Sequence, residues 1–214
     1  MFKRIVTSAT CLLLLVIAVL TASCIAQEKG RSTDSNVVSS KPIVNPGDAV
    51  ITKSSMLIPF TLDDMIKITH TAVIGKVVEI LPAKQVDFGG KPTDPYSNAI
   101  YTDVVIEPEQ YLYGEPQVKR IIVRVNEGRI GNTVMTSEDE AEFILGEECA
   151  VFLSRPSYQH VVPEGFDDAN YYDLWGLCKG KYEIENGTLI GITGDKITLS
   201  EIKQKVALIR GMTQ

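Results

Sequence analysis

Four cysteines and two histidines bound the chemistry open to this 214-residue chain. Cys24 lies within residues 20–27 (LTASCIAQ), just past an apolar run. A thioether-linked diacylglycerol on a new N-terminal cysteine requires small residues immediately before it, and Ala22 and Ser23 supply them. Thr21 departs from the leucine usual three places before such a cysteine, which here stands one place earlier at Leu20. Cys24 is therefore expected to be the lipid-attachment residue, with ordinary cleavage after Ala26 as the competing outcome. Two or three acyl chains, at ~0.8 kcal/mol per buried CH2, hold a protein on a membrane far more firmly than one.

Cys11 leaves with the leader, so Cys149 and Cys178 remain as an even pair. In an oxidising compartment they form a possible disulfide, if the strand from Cys149 pairs antiparallel with the segment ending at Cys178. The alternative is two buried thiols that never meet. Neither CxxC nor a Cys/His ligand spacing occurs, so no metal and no other cofactor is expected. His70 and His160 are far apart and no G-x-S-x-G context accompanies them, so no residue is assigned as catalytic.

The densest binding signal is aromatic. Tyr158, Phe166, Tyr171, Tyr172, Trp175 and Tyr182 place six of the chain's 15 aromatic residues in one window, interleaved with Asp167, Asp168, Asn170 and Asp173. Flat aromatic faces beside hydrogen-bond acceptors suit a carbohydrate or a peptide, so Tyr158, Phe166, Tyr171, Tyr172 and Trp175 are candidate ligand-binding residues. The competing reading is that these aromatics pack strands.

The N-terminus fixes the compartment. Lys3 and Arg4, an apolar core over residues 11–20, and small residues at Thr21, Ala22 and Ser23 make a signal-peptide pattern over residues 1–23. Ten apolar residues fall short of the ~20 a membrane span needs. The protein is thus expected to be exported to the cell envelope, either anchored at the outer face of the cytoplasmic membrane or secreted. Removing the leader takes two of the 21 basic residues and none of the 27 acidic ones, which leaves a net charge of −8. Without a basic cluster, that balance argues against nucleic acid as a partner.

Residues 24–50 are rich in Ser, Asn, Gly, Pro and charge and read as a flexible stalk. Residues 51–214 then form one domain, long enough to bury a core. Thr61 with Asp64, and Thr198 with Glu201, are capping-box signatures that open a short N-terminal helix and a C-terminal helix. Between them, β-branched runs at 72–80, 100–107, 120–125, 129–135, 149–154, 171–178 and 181–185 read as strands, and Asn186-Gly187 marks a two-residue hairpin. Many short strands without βαβ alternation predict a mainly β (α+β) domain built as an antiparallel barrel or sandwich.

The order of these motifs adds a resemblance. A Tyr-Leu-Tyr-Gly turn at 111–114, IIVRV at 121–125, Gly131, FILGE at 143–147 and VFLS at 151–154 resemble a loose group of exported prokaryotic proteins. The stretch that carries the likeness spans residues 65–185, and the group is similar in outline to OB-fold barrels of netrin/TIMP-like modules. The resemblance implies an antiparallel OB-like β-barrel. It does not imply protease inhibition, because TIMP-type inhibitors use a free mature N-terminal cysteine and several disulfides. The functional expectation is a lipid-anchored extracytoplasmic binding or assembly module, joined to the membrane by its lipid and to an unknown protein or carbohydrate ligand. The alternative is an exported hydrolase using scattered residues such as His160, Asp167 and Asp168.

Overall fold

A computed structural model describes residues 37–54, 59–87, 98–114, 118–156 and 164–211. The domain is mainly β, with twelve strands and two α-helices among the described residues. Strand β1 spans Ala49–Lys53, β2 Thr71–Ile80, β3 Lys84–Asp87 and β4 Asn98–Tyr113. After these come β5 (Ile121–Val125), β6 (Gly128–Ile130), β7 (Thr133–Ser137) and β8 (Glu148–Ser154). Strands β9 (Tyr171–Leu174), β10 (Lys181–Glu185), β11 (Thr188–Gly191) and β12 (Lys196–Thr198) complete the set. Helix α1 is Leu62–Ile68 and α2 is Leu199–Arg210, and each opens on the expected capping box. Neither is long and apolar enough to cross a membrane.

Five strands pair around a ring. β2 lies antiparallel to β4 and to β8, β4 is antiparallel to β5, and β5 runs parallel to β9. β9 then meets β8 antiparallel through Leu153 opposite Leu174 and Ser154 opposite Asp173. β10, β11 and β12 extend the sheet outward from β8, and β3 pairs with the start of β4. A separate three-stranded sheet has the order β1-β7-β6.

Alternation along the ring strands sends side chains to two cores. Val73, Val104, Ile121, Val123, Val151, Leu153 and Tyr172 point to one. Ala72, Ile74, Ala150, Phe152, Tyr182 and Leu189 point to the other, where Met65 and Ile66 of α1 and Ile202 and Val206 of α2 cover them. Both faces being buried is why residues 149–153 read as an unbroken apolar run rather than an alternating one. Each valine, leucine, isoleucine, phenylalanine or methionine among them, fully buried, contributes ~1.5–3 kcal/mol. Strand β4 is long because it pairs in turn with β3, β5 and β2, and its ladder with β2 slips three times. One slip adjoins Gly75, which faces Pro108. Proline donates no hydrogen bond there, and any Cβ on Gly75 would collide with the Glu107 carbonyl and with Ile106.

The structure departs from the sequence reading in four places. Residues 37–48, expected to belong to a stalk, pack against the domain: Ser39 bridges to Ile144, and the buried Ser40 exchanges hydrogen bonds with the Phe143 backbone. The strand expected at 129–135 is two strands, folded back at Gly131 (φ +57°). Between the strands expected at 72–80 and 100–107 the chain adds a strand the sequence reading lacks, β3. The strand expected over 171–178 ends at Leu174.

On the ring's other surface, β4 and β5 carry a buried ion pair. Arg124 donates to both carboxylate oxygens of Asp103 at 2.9 and 3.1 Å, and the two side chains are 1% and 2% exposed. The guanidinium lies over the Tyr101 ring at 3.3 Å and the Tyr171 ring at 4.8 Å, while the Tyr171 hydroxyl donates to Asp103. Removing one member of such a pair strands a buried charge, whereas replacing both with apolar groups does not. Asp103→Ala is thus expected to cost ~3–5 kcal/mol, and the pair Asp103→Leu with Arg124→Met much less. Urea midpoints of the two variants check the order, and equal losses would contradict it.

Candidate functional site

After β9 the chain leaves the ring to build a cavity. Continuing the β9 register along β8 would put Cys178 opposite Cys149. Instead the chain loops out over residues 175–180 and returns as β10, so that Glu183 takes the place opposite Cys149, a slip of five residues. Two glycines permit the detour. Gly176 adopts φ +66°, the left-handed region, and a methyl group there would run into the Phe60 ring. A side chain on Gly180 would overlap the Trp175 carbonyl and Leu174.

Phe60, just before α1, is held edge-to-face by Trp175 with ring centroids 4.2 Å apart. Its ring forms one wall of a cavity of about 630 Å3 between α1, the 175–180 detour, the β11–β12 turn and the start of α2. Leu62, Met65, Tyr182 and Ile197 add apolar surface, and Lys179, Lys196 and Lys205 reach its edge. The Lys179 ammonium sits 4.9 Å from the Phe60 ring centroid, a cation–π contact worth about 0.5–1 kcal/mol at an exposed site. Tyr182 is 3% exposed, and its phenol is raised far above its ordinary pKa by burial first and by Asp195 second.

The acids at this cavity are committed to internal partners. Glu201 accepts from the Thr198 N–H at 2.8 Å and from its hydroxyl at 2.7 Å, and these bonds hold the carboxyl below its ordinary pKa. Asp195 takes the Thr193 hydroxyl and bonds Tyr182. Lys205, which lines the cavity, pairs with Asp63 outside the lining at 2.7 Å. Lys179 and Lys196, by contrast, have no carboxylate partner among the described residues.

The aromatic residues clustered in sequence disperse in space. Tyr171 is fully buried in the Asp103–Arg124 network, and Tyr172 lies inside the ring core with the Arg155 guanidinium 4.5 Å from its ring. Neither presents a face to a ligand. Phe166 is half-buried under Arg120 at 5.4 Å. Trp175 supports the cavity from behind Phe60, and Tyr182 lines it. Tyr158, His160 and Cys24, and the side chain of Asp168, lie outside the described residues. Asp167 is exposed, and its carbonyl accepts from Asn170. His70 accepts the Arg155 N–H at 3.3 Å through Nδ1. Sequence reasoning missed Phe60, Met65, Lys179, Lys196 and Lys205. The two capping boxes were the available signal, since Thr61 and Glu201 both line the cavity.

Cys149 and Cys178 are free thiols in the structure, both buried in the ring core. The five-residue slip removes the facing arrangement that the expected bridge required. Burial pushes the Cys149 thiol up to about 12 and raises that of Cys178.

Acids also gather beside β6 and β7, where Glu127 is fully buried. Its Oε2 accepts the Ser137 N–H at 3.2 Å, while Oε1 has no partner among the described residues. Glu140 nearby accepts from Asn126 at 2.8 Å and is raised by burial. No group of three or more His, Cys, Asp or Glu among the described residues is arranged to hold a metal ion. Burial raises the Glu127 carboxyl from 4.5 to about 7. A carboxyl raised on folding gives its full relative stability below its unfolded pKa and loses it as pH rises through the folded value. The stability of the wild type relative to Glu127→Gln is therefore expected to fall by ~2–3 kcal/mol between pH 4.5 and about 7. Denaturant titrations of both proteins across that range measure it, and a difference independent of pH would contradict it.

Comparison of the chain with models of protein families gives no match, and comparison with curated proteins gives none.

Proposed function

We propose that the chain is a lipid-tethered, extracytoplasmic binding or assembly module, with Cys24 as the tether and an OB-like barrel as the body. The order of the ring strands supports the barrel. Counted along the chain they run one-two-three-five-four and back to one, and OB-folds are five-stranded Greek-key barrels. Likeness to the exported prokaryotic group and the residues around Cys24 support the tether.

The single observation that carries binding is the cavity at Phe60. Its volume of about 630 Å3 falls within the ~300–1,000 Å3 of small-molecule sites, and its lining is mainly apolar with a few polar groups at the edge. A ligand with an apolar body fits that lining. Trp175, the chain's one tryptophan, stands directly behind the cavity wall and reports on its contents.

The test uses the full chain in phosphatidylcholine nanodiscs and the neutral fluorophore N-phenyl-1-naphthylamine. Excitation of Trp175 is expected to sensitise the probe's emission saturably at one site. Gly176→Ala, which displaces Phe60, should weaken that site about tenfold while the far-ultraviolet circular dichroism stays unchanged. Equal binding by the folded variant would overturn the assignment. For the tether, Cys24→Ser is expected to move the protein from the membrane fraction to the soluble one, and retention in the membrane fraction would refute it.

A further inference from the structure

We propose that residues 37–53 form a pH-gated strap, closed over the buried Glu127 while that carboxyl is protonated and opening as it ionises. The gate needs neither a ligand nor the Phe60 cavity.

The strap is fastened by its backbone and by polar side chains, without a core of its own. Among residues 37–53 only Ser40 is buried, while Val37, Val38, Ile43, Val44, Val50 and Ile51 are all exposed. It is held by the parallel β1–β7 ladder, by the Ser40 hydrogen bonds to Phe143 and by the Leu145 N–H on the Val38 carbonyl. The Ser39 hydroxyl donates to Glu142 at 2.9 Å, and Arg129 donates to Asp48 and to the Ile43 carbonyl. A segment with few buried apolar contacts and exposed backbone hydrogen bonds opens locally at less cost than the core it covers.

Glu127 is enclosed where the strap meets β7. Its Oε2 accepts the N–H of Ser137, which stands opposite Lys53 in the β1–β7 register, and Oε1 has no partner among the described residues. Lys41 of the strap bears on this carboxyl as a cation, and Glu140 and Glu142 after β7 bear on it as acids. Lys53 of the strap faces Glu140, which also feels Asp173 and accepts from Asn126. The contact from β4 is uncharged, the Thr102 hydroxyl on the Glu127 carbonyl at 2.8 Å. Burial outweighs the Ser137 bond and Lys41, and so favours the neutral acid up to about pH 7. Closure that raises a carboxyl is fully favourable below its ordinary value of 4.5 and is lost as pH rises through the raised one. Opening returns Glu127 to water, so the closed-to-open ratio is expected to fall about fiftyfold to hundredfold from pH 5 to 8. Glu140, raised by burial, acts in the same direction, whereas Asp48, held low by its hydrogen bond from Arg129, lets go only in stronger acid. With Cys24 as the tether, opening frees residues 37–53, up to ~60 Å of extended chain. That consequence alone rests on the tether reading.

The test is residue-resolved hydrogen exchange of the full chain in phosphatidylcholine nanodiscs at pH 5, 6, 7 and 8, read as protection factors corrected for intrinsic exchange. The amides of Ser40, Ala49 and Leu145, which close the strap, are expected to lose protection about fiftyfold to hundredfold across that range. Amides of Val73 in β2 and Val151 in β8 are expected to hold theirs. In Glu127→Gln the strap amides should keep their protection throughout. Constant strap protection in the wild type, or the same loss in the variant, overturns the gate. Equal loss at the ring strands overturns it too, because the whole domain then relieves the charge. Should Glu127→Gln not fold, the carbon-13 shift of the wild-type Glu127 carboxyl takes its place. Strap protection must then level off at the pH where that carboxyl titrates, and continued loss beyond it overturns the gate.

Discussion

A strand of four residues holds this architecture together. Tyr171–Leu174 runs parallel to β5 through Tyr171, Tyr172 and Asp173, and antiparallel to β8 through Asp173 and Leu174. Without it, β5 is an open edge, Leu153 and Ser154 of β8 lose their partners on that side, and the ring does not close. With it, Tyr172 and Leu174 face Val123, Val151 and Leu153 in one core, and Tyr171 turns the other way to reach Asp103. The short strand also fixes where the chain must depart. Because β10 needs the same edge of β8, the polypeptide cannot run straight on, and residues 175–180 swing outward. That detour puts Trp175 behind Phe60 and Lys179 in front of it. The cavity is thus a consequence of two strands sharing one edge.

Polar groups are placed with the same economy. The Asp103–Arg124 pair ties β4 to β5 on the surface opposite the ring core, and the Tyr171 hydroxyl brings β9 into the network. A buried ion pair is weak evidence for stability but penalises registers that would break it. A one-residue slip of β4 against β5 would leave both charges buried without a partner. At the cavity the acids serve local structure, Glu201 capping α2 and Asp195 holding the β11–β12 turn, and their charges stand beside those of Lys179, Lys196 and Lys205.

Local signals were legible from sequence because they depend on neighbours a few residues apart. Thr61 and Thr198 opened helices, Asn186-Gly187 turned a hairpin with both residues at positive φ, and the β-branched runs became strands. The aromatic window misled because composition says nothing about which side of a strand a ring faces. In YYDL, successive side chains alternate, so Tyr171 and Tyr172 part to opposite surfaces and both end buried. The Cys149–Cys178 opposition followed correctly from antiparallel pairing of β8 with β9. It failed on the detour, which β10 forces by taking the same edge of β8 and which packs Gly176 on Phe60, 116 positions away in sequence. The cavity residues, from Phe60 to Lys205, are too scattered for any spacing rule to collect them.

The central claim is that ligand enters outside the ring, against α1 and α2, and never its core. Methyl-labelled nuclear magnetic resonance of the full chain, recorded with and without N-phenyl-1-naphthylamine, tests this most directly. The account predicts shifts at Leu62, Met65, Ile192 and Ile197, with Val104, Ile121 and Val123 unmoved. Shifts confined to those ring-core methyls, or a cavity that stays silent while others respond, would contradict it.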